Sequence, residues 1–197
     1  MHNLLGEEKL HKVFELAKTT NIVKDNSYIK SYPSILSYFS QLGSISPADV
    51  IRGTHMIYGW MPTVLKLNTK ADKDLERAAG ILTVVKNEGR VTDKEISVLM
   101  KLINNSLVGT SKLLHFLAPD KYAIWDSKIF SFVFERKAYG YHMVNVDYFK
   151  DFQKVVQRII SDSRFSKTHS LVNSKIGYKV TAVRATELIM FLNAPKY

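Results

Sequence analysis

The stretch Asn105-Ser106-Leu107-Val108-Gly109-Thr110-Ser111-Lys112-Leu113-Leu114-His115-Phe116-Leu117-Ala118-Pro119-Asp120-Lys121-Tyr122-Ala123-Ile124-Trp125-Asp126-Ser127-Lys128-Ile129 decides how the chain is read. It predicts the end of one helix, a tight turn at Gly109, and a short helix from Ser111 to Leu117. An extended apolar tetrad, Tyr122 to Trp125, then delivers Asp126 to the start of the next helix. A helix N-terminus beside Gly109 presents backbone N–H groups and a positive dipole end, the ingredients of a phosphate site. Asp126 ahead of Ser-Lys-Ile-Phe is also a good helix N-cap.

The same helical grammar extends outward on both sides. Thr92-Asp93-Lys94-Glu95 is a capping box, and Ile96, Leu99, Met100, Ile103 and Leu107 hold a helical period up to Gly109. Ser46-Pro47-Ala48-Asp49 starts a helix running towards Gly59, with Ser46 as cap and Pro47 at the first helical position. Leu10, Val13, Phe14 and Ala17 form one apolar face. Pro33 places the start of the next helix at or after itself. Helices follow over about 72–85, 146–161 and 178–192, with 162–175 as the longest expected loop. Strand-like alternation is confined to residues 122–125, which cannot make a sheet. The expected fold is all-α and compact, over 1–197, as one unit or two closely packed helical lobes, with the hairpin and Asp segment at 93–135.

Composition narrows the function classes. The 197 residues carry no cysteine, which excludes a disulfide framework, a Cys-based zinc site and a thiol nucleophile. Hydrophobic residues make up 46%, which excludes general disorder. His2, His11, His55, His142 and His169 show no metal-ligand spacing, and His115 on an apolar face reads as a core residue, so no metal site is expected. No Walker loop, dinucleotide-binding glycine fingerprint or Gly-x-Ser-x-Gly elbow is present. The first residues turn acidic at Glu7-Glu8 before any apolar run forms. No stretch reaches the roughly 20 apolar residues of a bilayer span. A cytoplasmic protein without a membrane partner is the expectation.

The formal charge of +10 is unevenly placed: residues 1–98 contribute +2 and residues 99–197 contribute +8. A basic field in the half that holds the Gly109 turn and Asp126 points to a polyanion, first of all nucleic acid. Lys150, Lys154, Arg158, Arg164 and Lys167 form a basic run suited to a DNA strand or, equally, to a solvated face. Arg184 and Glu187, three apart on the last helix, read as a structural salt bridge, with a phosphate on Arg184 as the alternative. Tyr58-Gly59-Trp60-Met61-Pro62 is an unusual helix end. Tyr58, Trp60 and Met61, with Trp125, are candidates to wall a pocket; packing into the core is the alternative.

In order and context, the 105–129 segment resembles the helix-hairpin-helix DNA glycosylase superfamily. Members carry a Leu-Pro-Gly-x-Gly-x-Lys hairpin, a helix, and a catalytic Asp in an apolar-Asp-Thr/Ser-x-apolar setting. Leu107 to Lys112 stands for the hairpin and Ile124-Trp125-Asp126-Ser127-Lys128-Ile129 for the Asp segment. The likeness covers about 25 residues. It departs in having one glycine for two and a shorter path from hairpin to Asp.

The resemblance implies a DNA glycosylase acting on duplex DNA, with Asp126 as the catalytic residue. It implies DNA contacts from Gly109, Thr110, Ser111, Lys112 and Lys128. It also implies no cofactor beyond a monovalent cation held by hairpin carbonyls. Lys112 lies outside the register of the nucleophilic lysine of bifunctional members, so hydrolysis without strand cleavage is expected. A modified base is the implied substrate, with glucosylated hydroxymethylcytosine of phage DNA as one setting. No protein partner is implied. The rivals are a non-catalytic DNA-binding hairpin whose Asp126 only caps, and a glycosidic-bond enzyme of free modified nucleotides.

Overall fold

The computed structural model describes residues 7–69 and 71–197, without the side chains of Glu7 and Lys9. The reading of the acidic first residues lies largely outside that range. Among the described residues the fold is all-α and compact, with no strand and one isolated antiparallel bridge between Leu67 and Ile103. No described helix is long and apolar enough to cross a membrane. The helices run α1 (Glu7–Thr19), α2 (Ser27–Gln41), α3 (Pro47–Trp60), α4 (Asp72–Glu88), α5 (Asp93–Leu102) and α6 (Leu107–Leu117). After these come α7 (Ser127–Phe134), α8 (Gly140–Met143), α9 (Val146–Ile160), α10 (Phe165–Ile176) and α11 (Ala182–Leu192).

Two helices are buried around almost their whole circumference, and each becomes the centre of a group. Helix α6 is enclosed by α2, α3, α4 and α5, and α11 by α1, α7, α9 and α10. Helix α9 shows how the outer helices pack. Phe149, Phe152, Val155, Val156 and Ile159 bury one stripe, while Lys150 and Lys154 keep their charges in water. Local signals set most starts as expected. Ser46 and Asp49 close a capping box with Pro47 in the first turn, and Thr92 and Glu95 close another.

Four expectations are corrected. Helix α2 begins at Ser27, capped by Asn26, and carries Pro33 inside it. Proline lacks the N–H that would bond to Ile29 C=O, and the Tyr178 hydroxyl donates to that carbonyl instead, at 2.6 Å. Helix α5 stops at Leu102, and the turn is made by Asn104 and Asn105, with φ of 53° and 51°. Asparagine tolerates that left-handed region. Asn104 also accepts from Lys66 N–H and donates to Val64 C=O, pinning a distant segment. Residues expected to loop instead form α10, with Phe165, Thr168, Val172 and Ile176 buried on one face. The last helix starts four residues later than expected, at Ala182, capped by Thr181.

The extended segment 122–125 is held by side chains instead of a neighbouring strand. His115 Nδ1–H donates to Tyr122 C=O, Gln153 bonds both the N–H and C=O of Ala123, and Ser111 accepts from Trp125 N–H. A backbone buried between helices keeps its polar groups paired this way.

His115 is fully enclosed, with the Tyr32 hydroxyl donating to its Nε2 at 2.8 Å. Burial, aided by the Arg184 charge, pushes the imidazole down to about 3 from an ordinary 6.5. The unfolded chain therefore takes up a proton below pH 6.5 that the folded chain refuses until about pH 3. Stability contributed by neutral His115 is complete above pH 6.5 and falls as pH drops through that window. Denaturant unfolding at pH 7 and pH 4.5 is expected to differ by roughly 2–3 kcal/mol from this residue. His115→Gln is expected to flatten that slope.

Candidate functional site

The two groups of helices do not close completely on each other. Between them lies a cavity of about 560 Å³, within the range of small-ligand sites. Its walls come from α6 (Val108, Lys112), the end of α3 (Trp60, Met61), the start of α7 (Asp126, Lys128) and α11 (Arg184, Glu187). The chain from Asn21 to Ile29 and the apolar residues of α11 complete it.

Asp126 reaches the wall because it caps α7. Its Oδ1 accepts from Ile129 N–H at 3.0 Å, which fixes the carboxylate, and Oδ2 has no partner among the described residues. Trp60 is held by its indole N–H on Tyr28 C=O and stands edge-on to Tyr28 and Phe116. Lys128 is exposed, with its ammonium 4.3 Å from the centre of the Phe191 ring. The cavity therefore unites Asp126, Lys112, Lys128, Trp60 and Met61, which the sequence named from separate segments.

The other named residues lie elsewhere. Trp125 is wholly buried among Phe130, Phe134, Phe149 and Phe152, with its indole N–H on Met143 C=O. Thr110 and Ser111 are fully buried, and their hydroxyls donate to Ser106 C=O and Val108 C=O. In this arrangement they secure the helix and its neighbouring segment. The turn expected at Gly109 is displaced to Asn104-Asn105, and Gly109 lies within the first turn of α6, its N–H on the Ser106 cap.

Gly109 has a packing reason to lack a side chain. A Cβ there would lie 2.5 Å from Tyr58 Oη and 2.9 Å from Cε2. Tyr58 is buried beneath α6, behind the cavity wall and not on it. Gly109→Ala is expected to lose about 1–3 kcal/mol in denaturant unfolding despite alanine's better helix propensity. The enclosed Tyr58 ring has to move to admit the methyl group. Tyr58→Phe, which removes the nearest atom, is expected to restore part of the loss.

The floor of the cavity is the part the sequence reading undervalued. Arg184 and Glu187 are 4% and 1% exposed and form an ion pair through Arg184 Nη1 and Glu187 Oε2. The guanidinium lies over the Tyr32 ring at 4.8 Å and near Trp60 at 5.9 Å. Burial is the strongest single influence and opposes its charge, but Glu187, Tyr32 and Tyr178 together outweigh it and hold Arg184 above its ordinary value. Burial pushes Glu187 up against the pull of Arg184. Lys112, 8% exposed, forms no ion pair or hydrogen bond through its ammonium among the described residues. Burial pushes its ammonium below the ordinary value, opposed by Asp126 and Glu187. A charged pair three apart on a helix otherwise made of Val183, Ala185, Thr186, Leu188, Ile189 and Met190 is the signal that identifies this floor.

The basic run along α9 and α10 is partly neutralised on its own surface. Lys150 pairs with Asp93, Lys154 with Asp151 and Arg164 with Asp162. No group of three metal-ligating side chains occurs among the described residues. No protein-family model, curated protein or solved structure matches the chain.

Proposed function

We propose that the chain is a helix-hairpin-helix-like DNA glycosylase that hydrolyses the N-glycosidic bond of a modified base extruded into the cavity. The observation that carries this reading is the meeting of Asp126, Trp60 and Met61 on one cavity of about 560 Å³. A carboxylate with one oxygen fixed by a helix cap and the other free suits charge developing on a sugar. Asp126 faces the sugar carbon, stabilises its positive charge and orients the attacking water. Trp60 and Met61 give the flipped ring an apolar wall, which offsets part of the cost of unstacking it. Lys128, exposed at the start of α7, meets the phosphate beside the extruded nucleotide. The first backbone N–H groups of α6, next to Val108, offer a second anion contact at the cavity wall.

A second reading keeps the bond chemistry and moves it to a free modified nucleotide. Three cationic side chains, Lys112, Lys128 and Arg184, on one cavity favour it. The experiment is incubation with a panel of duplexes carrying damaged or phage-type modified bases, followed by alkali, in parallel with the matching free nucleotides. Alkali-sensitive sites in duplex DNA are the expected result. Release of base from free nucleotides alone would transfer the activity to the second reading.

A further inference from the structure

The floor of the cavity holds more positive charge than its own structure uses. Five charged side chains line the cavity: Lys112, Lys128 and Arg184 against Asp126 and Glu187. Two of the cations are buried and incompletely paired. Arg184 spends Nη1 on Glu187, while Nε is buried without a partner and Nη2 has none among the described residues. Nε is closed off by the surrounding protein, so Nη2–H is the donor that a ligand in the cavity can reach. Lys112 stands one helix over with a free ammonium.

The Arg184 guanidinium is also held still. The Tyr122 carbonyl fixes His115, His115 accepts the Tyr32 hydroxyl, and the Tyr32 ring lies under the guanidinium. A buried donor that is oriented, unpaired and next to an unpaired ammonium is costly to maintain without a ligand.

We propose that Arg184 and Lys112 form an anion-accepting floor for a planar, oxygen-bearing heterocycle. That the heterocycle is the departing base rests on the glycosidic reading above. In that step the water oxygen bonds to the sugar carbon as the carbon–nitrogen bond breaks. The bonding pair leaves with the base, and the water proton passes to Asp126. The base anion, with its charge spread to ring carbonyl oxygens, is held by Arg184 Nη2 and Lys112 until solvent protonates it on release. The substrate class is therefore a base with keto oxygens able to leave as an anion, in preference to an amino-purine that must be protonated first.

The test needs no DNA. Binding of 5-nitrouracil, whose ring is ionised at neutral pH, is compared with uracil, which is neutral, by calorimetry on the full chain. Wild type is expected to bind the nitro compound at least about tenfold more tightly, in line with charge-assisted hydrogen bonds. Lys112→Met is expected to lose most of that preference while raising the unfolding midpoint, because it removes a desolvated and unpaired ammonium. Arg184→Lys keeps the charge and is expected to weaken binding, because a flexible ammonium replaces the fixed guanidinium donor.

Equal binding of the two pyrimidines, no binding of the nitro compound, or an unchanged preference in Lys112→Met would overturn the proposal. Inorganic phosphate binding as tightly as the nitro compound would overturn the assignment to a ring anion. Base excision without this preference leaves the glycosylase reading standing and removes the anion floor. The preference without excision does the reverse.

Discussion

On the glycosylase reading proposed above, Asp126→Asn is expected to lower base excision by about 10²–10⁴-fold, the usual worth of a positioned acid–base group, while leaving the fold intact. The substitution separates two roles that occupy one side chain. As an N-cap, Asp126 accepts from Ile129 N–H through Oδ1, and an asparagine Oδ1 does the same. Asn and Asp are near-equal caps, so denaturant unfolding should shift by no more than about 0.5 kcal/mol. What asparagine lacks is the negative charge of the second oxygen, the one without a protein partner. Asp126→Ala removes both roles and is expected to lose activity together with about 1 kcal/mol of stability. Equal excision by wild type and Asp126→Asn across damaged and modified substrates would reduce Asp126 to a cap.

The largest stability effect is expected at the cavity floor. Arg184→Met, with Glu187 left in place, costs about 3–5 kcal/mol, because a buried carboxylate is left without its partner. The guanidinium also leaves the faces of Tyr32 and Trp60. The double substitution Arg184→Met with Glu187→Leu is expected to recover most of that loss, since well-packed apolar residues commonly match or exceed a buried ion pair. Unfolding curves of the single and double variants form a cycle that isolates the pair. Recovery in the double variant places the pair among features kept for ligand chemistry and not for folding. A double variant as unstable as the single one would assign the pair to the architecture.

These outcomes bear on what the sequence discloses. Signals confined to a few consecutive residues were legible: the Ser46-Pro47-Ala48-Asp49 and Thr92-Asp93-Lys94-Glu95 starts, and Asp126 as a helix cap. Trp60 stood out by composition and does line the cavity. Where a partner lies far along the chain, the local rule gave way. Pro33 is carried inside α2 because the Tyr178 hydroxyl, 145 residues later, takes the carbonyl it leaves free.

Gly109 reads locally as a turn, yet Asn104-Asn105 supplies the left-handed backbone and Gly109 is needed for the approach of Tyr58. Trp125 was one of two equal-looking tryptophans. Only packing separates it, buried among four phenylalanines, from Trp60 on the cavity. Arg184 and Glu187 were visible as a pair, but their place on one cavity with Asp126 and Lys112 depends on how the two groups of helices come together. That meeting is a property of the whole fold.

The central claim is that Asp126 meets positive charge on a sugar held in the cavity. It is tested most directly by a duplex carrying a cationic pyrrolidine in place of one deoxyribose, a mimic of the sugar at the moment of bond cleavage. The measurement is its affinity relative to the same duplex without the substitution, and it does not require the modified base to be known. Wild type is expected to bind the pyrrolidine duplex at least about 10²-fold more tightly, as transition-state mimics do, with the preference lost in Asp126→Asn. Equal affinity of wild type for the two duplexes, or an unchanged preference in Asp126→Asn, would contradict the account.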